Sequence, residues 1–419
     1  MTKQAFFARR SLLLPLLLVA VVILLSQCME GEPPAAKNID QEPLKAALSI
    51  GHFAGSQSCA SCHAGIYKSH RQTAHFRTSA PATDSTILGS FKRGSNTYQF
   101  NDHLQVRMER RDSGHYQAAF QYGEEKLARR MDLVIGSGTM GQSFLHWYKQ
   151  QLFQLPITYF AAANAWSNSP GFPPKVVFNR IITSRCMECH TTFAQLQTPP
   201  PPAPEWFDPG KIIFGVDCEK CHGPAAQHVA FQQQNPDATT AKYIVNPARL
   251  SRQQQLDLCA LCHGGALQKT APSFSFTAGN NLSDFFVPDT TTPNPANIDV
   301  HGNQYGLLRA SKCFKASNTL TCTSCHNSHA NERGNKVLFS QRCMACHQPK
   351  GDHFCTNKTM PAAKLAANCI DCHMPEQPSR AIAVFLPGKA SPTAAMIRSH
   401  YISVHQETAS LRGLSSLKK

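Results

Sequence analysis

The sequence predicts a mainly α-helical chain with much irregular structure, organised around prosthetic groups in place of an apolar core, with a small antiparallel β-domain inserted near its start. Three observations predict this. A short cysteine and histidine string recurs seven times in 419 residues. Six of its copies crowd into residues 186–373, about 31 residues each, too few to build an ordinary core around every copy. The gap between the first two copies holds no cysteine and carries period-two alternation instead.

Composition narrows the class. The length suggests two or three domains, and the charged fraction of 16% lies below the roughly 25% of an average globular protein. With 24 Gly and 28 Pro, the chain is neither a coiled coil nor an acidic disordered protein. Seventeen cysteines are too many to be incidental and too sparse for a small disulfide scaffold.

Fourteen of those cysteines form the repeat C-x-x-C-H. In chain order, site 1 is Cys59, Cys62 and His63; site 2 is Cys186, Cys189 and His190; site 3 is Cys218, Cys221 and His222; site 4 is Cys259, Cys262 and His263. Site 5 is Cys322, Cys325 and His326; site 6 is Cys343, Cys346 and His347; site 7 is Cys369, Cys372 and His373. Random placement of the same residues gives roughly 0.03 occurrences, so the repeat is not chance. Two thiols separated by two residues reach the two vinyl groups on one edge of a haem, and the next imidazole then lies beneath the iron. Zinc pairs two C-x-x-C half-sites into four ligands, and seven half-sites do not pair. Thioredoxin-like motifs occur once per domain, and disulfides impose no trailing histidine. The cofactors expected are therefore seven covalently attached haem c, their irons held on the proximal side by the seven motif histidines. The stacked haems would serve as the core.

The elements follow in order. Lys3 and Arg9-Arg10 precede an apolar run over 12–25 broken by Pro15, an export signal too short for a comfortable membrane span of about 20 residues. Leu25-Ser26-Gln27-Cys28 has the form of a lipobox, with Cys28 the lipidation site, so residues 1–28 read as a lipoprotein-type signal peptide and 29–45 as a flexible tether. A cleaved soluble form and an uncleaved anchor are the alternatives. Residues 46–86 form the first haem-binding segment, and 87–180 a β-rich insert with strands near 97–100, 104–109, 116–122 and 130–135. Within it, Gly136-Ser-Gly138-Thr-Met-Gly141 fits the spacing of a dinucleotide fingerprint, but no Asp or Glu occurs between Asp132 and Glu188 to hold a ribose, so it reads as a turn and no nucleotide is expected. Residues 181–405 form the six-haem domain, with a stiff proline spacer at 199–204 and short helices at 251–261 and 362–368; 406–419 is a disordered tail.

The net charge of +15 invites a nucleic-acid reading that export and dispersed charge exclude. Without the leader the chain carries about +12, and each haem with ionised propionates adds roughly −1 when ferric or −2 when ferrous, so the basic excess largely neutralises propionates.

Twelve further histidines compete for the sixth iron positions, which favours bis-His coordination. His329 follows His326 too closely to reach the opposite face of the same macrocycle, and His228 stands six residues after His222; each would serve a neighbouring haem. His70, His146 and His353 compete for remaining places, with His52 and His405 behind them.

Cys59-Ala-Ser-Cys62-His63 followed by Tyr67 and Thr73-Ala-His75 resembles the opening haem site of cytochrome c-554 and its multihaem relatives, including hydroxylamine oxidoreductase. Cys322-Thr-Ser-Cys325-His326-Asn-Ser-His329 followed by Cys343-Met-Ala-Cys346-His347 resembles the doubled module of the same group. The resemblance covers about 50–80 and 180–400. It implies distal roles for His75 and His329, and by looser similarity for His301 in Asp299-Val-His301-Gly and His400 in Arg398-Ser-His400-Tyr. Of the cysteines outside the motifs, Cys313 and Cys355 are expected to pair as a disulfide in an oxidising compartment.

These readings lead to an exported heptahaem cytochrome, periplasmic or at the outer membrane or cell surface, relaying electrons between redox partner proteins. The donor would be a membrane quinol-oxidising protein or another multihaem cytochrome, with membrane contact through the lipid. One alternative is an oxidoreductase with one open haem acting on a small nitrogen or sulfur compound. It lacks the C-x-x-C-K of related nitrite reductases, and nothing near Tyr148, Tyr159 or Tyr401 announces the tyrosine crosslink of hydroxylamine oxidoreductase. The other is a structural haem subunit of a respiratory complex. No catalytic residue is assigned.

Overall fold

In the computed structural model the described residues are 48–198, 205–288, 294–349, 351 and 354–405; Cys28 and its leader, His353 and the tail expected at 406–419 lie outside them. The chain opens with α1 (Ser56–Ala60) and α2 (Ala64–His70), which flank the end of site 1. Strand β1 (Ser79–Pro81) follows, then a four-stranded antiparallel meander of β2 (Thr97–Asn101), β3 (Leu104–Arg111), β4 (Gly114–Gln121) and β5 (Glu124–Arg130). A seven-stranded antiparallel sheet joins β1 to β6 (Leu133–Ile135), β7 (Gly141–Tyr148), β8 (Gln151–Gln154), β9 (Ile157–Phe160), β10 (Ala165–Asn168) and β11 (Arg180–Ile181).

Alternation in this larger sheet explains how it positions site 2. Val134 pairs with Phe144 and Leu133 with Leu145, and successive side chains leave opposite faces. Val134 and Phe144 pack with Val106, Met108 and Trp166 against the meander. Leu133 and Leu145 pack with Leu152, Met187 and Phe193 on the other face. Met187 lies inside the site 2 motif, so the β-layers and that site share a core.

The remainder alternates short helices with hairpins. Helix α3 (Ser184–His190) runs directly into the hairpin β12 (Thr191–Gln197) and β13 (Trp206–Phe214), which returns the chain to α4 (Cys218–His222) and α5 (Ala226–Gln234). Then come α6 (Arg252–His263), the pair β14 (Leu267–Lys269) and β15 (Phe286–Pro288), α7 (Gln304–Ala310) and α8 (Lys312–Ala316). Helices α9 (Lys336–Met344), α10 (Ala362–Ala367) and α11 (Ile370–His373) precede a last hairpin, β16 (Glu376–Val384) with β17 (Thr393–Arg398).

The expected mainly α fold organised around stacked haems is thereby corrected: the structure is 28% helix and 27% strand. Strands are not confined to residues 87–180. Three hairpins lie among sites 2 to 7, and each starts within a few residues of a motif histidine. Their alternation is broken by Pro209-Gly210, by a loop between Lys269 and Phe286 and by Pro378, so the sequence pattern there does not read as strand.

The glycine run at Gly136, Gly138 and Gly141 joins β6 to β7 as an antiparallel turn, with positive φ of 106° at Gly136 and 86° at Gly138. A strand follows it, so no helix N-terminus is present there to receive a phosphate. Among the described residues no helix is long and apolar enough to cross a membrane.

Candidate metal centres

Each repeated motif folds as a single helical turn. Sites 2, 3 and 4 close α3, α4 and α6. In sites 1, 5, 6 and 7 the histidine N–H donates to the first cysteine carbonyl, at 2.8 Å in His63, 2.9 Å in His326, 3.0 Å in His347 and 3.1 Å in His373. In the same four sites the second cysteine N–H donates to that carbonyl as well, at 3.3 Å in Cys62, 3.1 Å in Cys325, 3.2 Å in Cys346 and 3.3 Å in Cys372. Positions i, i+3 and i+4 share one helical face, so both thiols and the imidazole of a motif project together. Among the described residues no three His, Cys, Asp or Glu side chains converge on a common point as a protein-only zinc site requires. The arrangement fits a ligand that brings most of its own coordination and is gripped at one edge and from below.

The outer nitrogens of four motif histidines are held. Nδ1 of His222 donates to the Val245 carbonyl at 2.9 Å, and Nδ1 of His373 to the Ser403 carbonyl at 2.9 Å. Nδ1 of His263 lies 3.1 Å from Gln304 Oε1, and Nδ1 of His190 lies 3.1 Å from Thr78 Oγ1. A carbonyl only accepts, so at His222, His263 and His373 the proton sits on Nδ1 and Nε2 keeps its lone pair for a metal.

Second imidazoles face several of these rings. His75 lies 6.2 Å from His263 between ring centroids, His329 6.0 Å from His222 and His400 6.1 Å from His326. With a metal–imidazole bond of about 2.0 Å and about 1.1 Å from nitrogen to ring centre, two imidazoles that held one metal between them would lie roughly 6.2 Å apart, a separation these pairs match. His301 acts electrostatically on His190. Burial lowers His75, His190 and His400 to about 4. It also depresses His263, His301, His326 and His329, so these rings are neutral, the form that binds a metal.

Other candidates stand differently. His70 has both nitrogens against carbonyls, Ser328 at 3.3 Å and Val216 at 3.2 Å, with its ring 6.2 Å from His329. His146 is buried in β7, stacked on Phe153, with Nε2 3.1 Å from the Phe178 carbonyl. His228 is half-buried, its Nδ1 bound to the Lys242 carbonyl at 2.9 Å and no ring set against it among the described residues. His52 contacts Ser49, and His405 contacts Ser403 and Tyr401. Cys313 and Cys355 are both free thiols, not the expected disulfide; Cys313 lies in the fields of Cys325 and Cys346 instead.

The structure adds residues that the repeat pattern left unmarked. Buried acids inside or beside four of the motifs, at sites 2, 3, 4 and 7, tie those turns to other segments. Glu219 accepts N–H groups of Ala54, Gly55 and Ala225 at 2.8, 2.9 and 2.8 Å, and Glu188 that of Phe274 at 2.7 Å. Asp257 accepts that of Leu282 at 2.9 Å, and Asp371 takes Lys336 Nζ at 2.8 Å. A carboxylate at a position the repeat leaves free is the visible signal. Its role appears only once the distant partner is known.

Thiols of different motifs also meet. Cys59 acts on Cys218, Cys189 on Cys262, Cys259 on Cys322 and Cys343 on Cys369, each pair from two different motifs. Within them the neighbouring Cys262 thiol lowers Cys189 to about 7, and the Cys343 thiol lowers Cys369 to about 6. The remaining motif cysteines, Cys62, Cys186, Cys221, Cys325, Cys346 and Cys372, are free thiols as well, so no motif closes its own two sulfurs into a disulfide. These thiol pairs mark which motifs adjoin.

Residues 175–223, spanning sites 2 and 3, match the family described as cytochrome c554 and c-prime. The crystal structure of outer cell wall cytochrome OcwA shares the fold, with a TM-score of 0.53 at 16% identity over 88% of this chain and 84% of that one. No curated protein matches the sequence. A cytochrome c-type family implies covalently bound haem c, and the paired thiols with following histidines fit that group.

Proposed function

From its place among the multihaem c-type cytochromes, we propose that this chain is an exported, seven-haem electron carrier, its haems bound through the thiols and proximal histidines of sites 1 to 7. The bound haems supply reversible one-electron iron couples. The chain's own residues do the rest. The helical turns present two thiols and an imidazole on one face, carbonyls of Val245 and Ser403 fix the ring tautomers of His222 and His373, and burial keeps the facing rings neutral.

The observation that carries the reading is the set of facing imidazoles, His75 with His263, His329 with His222 and His400 with His326, at 6.0 to 6.2 Å. Six-coordinate centres suit a relay because they bind no substrate. Proposed partners are one-electron redox proteins, the donor a quinol-oxidising membrane protein or another multihaem cytochrome. Lipidation at Cys28 would hold the carrier at the periplasmic or outer surface, a placement in keeping with a fold shared by an outer cell wall cytochrome.

Electron paramagnetic resonance of the oxidised protein tests this. Low-spin signals alone are expected, and His329→Ala should convert one to high spin. An unchanged spectrum in that variant contradicts the relay assignment at site 3.

One observation favours a second reading. His63 is exposed, and its ring makes no ring contact or hydrogen bond among the described residues. Site 1 would then be the open centre of an oxidoreductase for a small nitrogen or sulfur compound. Its mark is a high-spin signal that shifts with nitrite or hydroxylamine and disappears in His63→Gly.

A further inference from the structure

Helix α6 is braced on three sides by residues belonging to other sites. From site 2, Arg185 Nη2 donates to the Leu261 carbonyl at 2.7 Å, and α3 packs against α6. Toward site 5, Arg252 Nε donates to the Leu320 carbonyl at 3.0 Å, two residues before Cys322, while its guanidinium lies over Phe314. Toward site 3, the imidazole facing His263 is His75, whose carbonyl accepts the N–H of Val216 at 2.8 Å, two residues before Cys218. The two thiols of site 4 diverge in the same sense: Cys262 meets Cys189 of site 2, and Cys259 meets Cys322 of site 5 and feels Cys221 of site 3.

Sites 3 and 5 have as many neighbours as site 4, and sites 1, 2, 6 and 7 have fewer. Site 1 adjoins site 3 through Cys59 with Cys218 and through Glu219, which binds Ala54 and Gly55. Site 6 adjoins site 5 through Arg342, which donates to the Cys325 carbonyl at 2.7 Å, and site 7 adjoins site 6 where α9 meets α11. Site 3 also touches the site 5 segment, because His329 faces His222.

We propose that sites 3, 4 and 5, which adjoin one another, form the junction of a branched relay, with one arm to site 1, one to sites 6 and 7 and one from site 4 to site 2, and with α6 holding the three neighbours of site 4 in place. The proposal rests on the seven-haem reading above. Each transfer oxidises one centre by one electron and reduces the next by one; no bond breaks and no proton moves. The electrons come from a one-electron reductant protein at one end and leave to a one-electron oxidant at another. Sequence order and electron order therefore differ: site 2, second in the chain, is a side arm, and sites 3, 4 and 5 share the junction.

Neighbouring charged centres influence one another's potentials, so the junction is readable without turnover. Potentiometric titration followed by paramagnetic resonance, with dithionite and ferricyanide as titrants, compares His263→Met with the end-site control His373→Met. Methionine raises the potential of its own centre. The proposal predicts that His263→Met also moves the midpoints of sites 2, 3 and 5, whereas His373→Met moves only its own and that of site 6. Equal numbers of shifted components in the two variants overturn it. If His263→Met loses its haem, Gln304→Leu serves instead, because it removes the partner of His263 Nδ1 and leaves the ligand. A haem content below seven in the unmutated protein defeats the underlying reading; full content with shifts confined to site 4 defeats only the junction.

Discussion

Glu219 shows how a single side chain fixes a site. Its carboxylate accepts three backbone N–H groups from two segments far apart in sequence, and it is 4% exposed. Glu219→Gln keeps the shape and loses the charge-assisted bonds, a cost of about 2 kcal/mol. A lower melting temperature is expected, and faster amide exchange at Ala54 and Gly55. Glu332 gives a pH-dependent counterpart. Hydrogen bonds from Arg342, at 2.7 and 2.5 Å, lower its carboxyl to about 2 from an ordinary 4.5. A depressed folded-state value contributes stability that is complete above about 4.5 and is lost as pH falls through about 2. Glu332→Gln should therefore lower the melting temperature at pH 7 and make no difference near pH 2. At this scale the seven motifs were legible because each is five residues long and repeats. The facing rings were legible only in part: His75 and His263 are far apart in sequence, and no spacing rule joins them, so that pairing belongs to the fold.

Among elements, the turn between β13 and α4 is the most constrained. Gly215 has φ of +73°, and a Cβ there would strike the Phe76 carbonyl oxygen, next to His75. Gly215→Ala combines a left-handed backbone with that clash and should cost about 2 kcal/mol or more. Thermal melting reads the cost, and loss of the low-spin signal of site 4 reads the displacement of His75. A second joint binds the two β-layers: Gln117 of β4 donates to the Ile157 carbonyl at 2.7 Å and accepts the Ile157 N–H at 3.0 Å. Gln117→Leu leaves both groups buried without partners, about 3 kcal/mol, visible as a lower denaturant midpoint. Strands over 97–148 announce themselves by alternation, whereas the hairpins near sites 2, 4 and 7 do not. Their residues answer to a neighbouring motif as well as to a sheet face, and proline or a long loop interrupts the period. That is why a chain with as much strand as helix reads as mainly helical.

Taken whole, the proposed carrier would join a basic polypeptide to a set of acidic prosthetic groups. The chain's net charge of +15 is offset by propionates once the sites are filled, so the isoelectric point of the mature holoprotein should fall well below the sequence value of 9.2. Isoelectric focusing of the exported protein checks that shift. The most direct measurement is a pyridine haemochrome assay on the purified exported chain, with protein determined by amino-acid analysis. Seven covalently bound haems per polypeptide are expected. A colourless chain, or thiols that hold zinc in place of porphyrin, would contradict the haem assignment on which the relay depends.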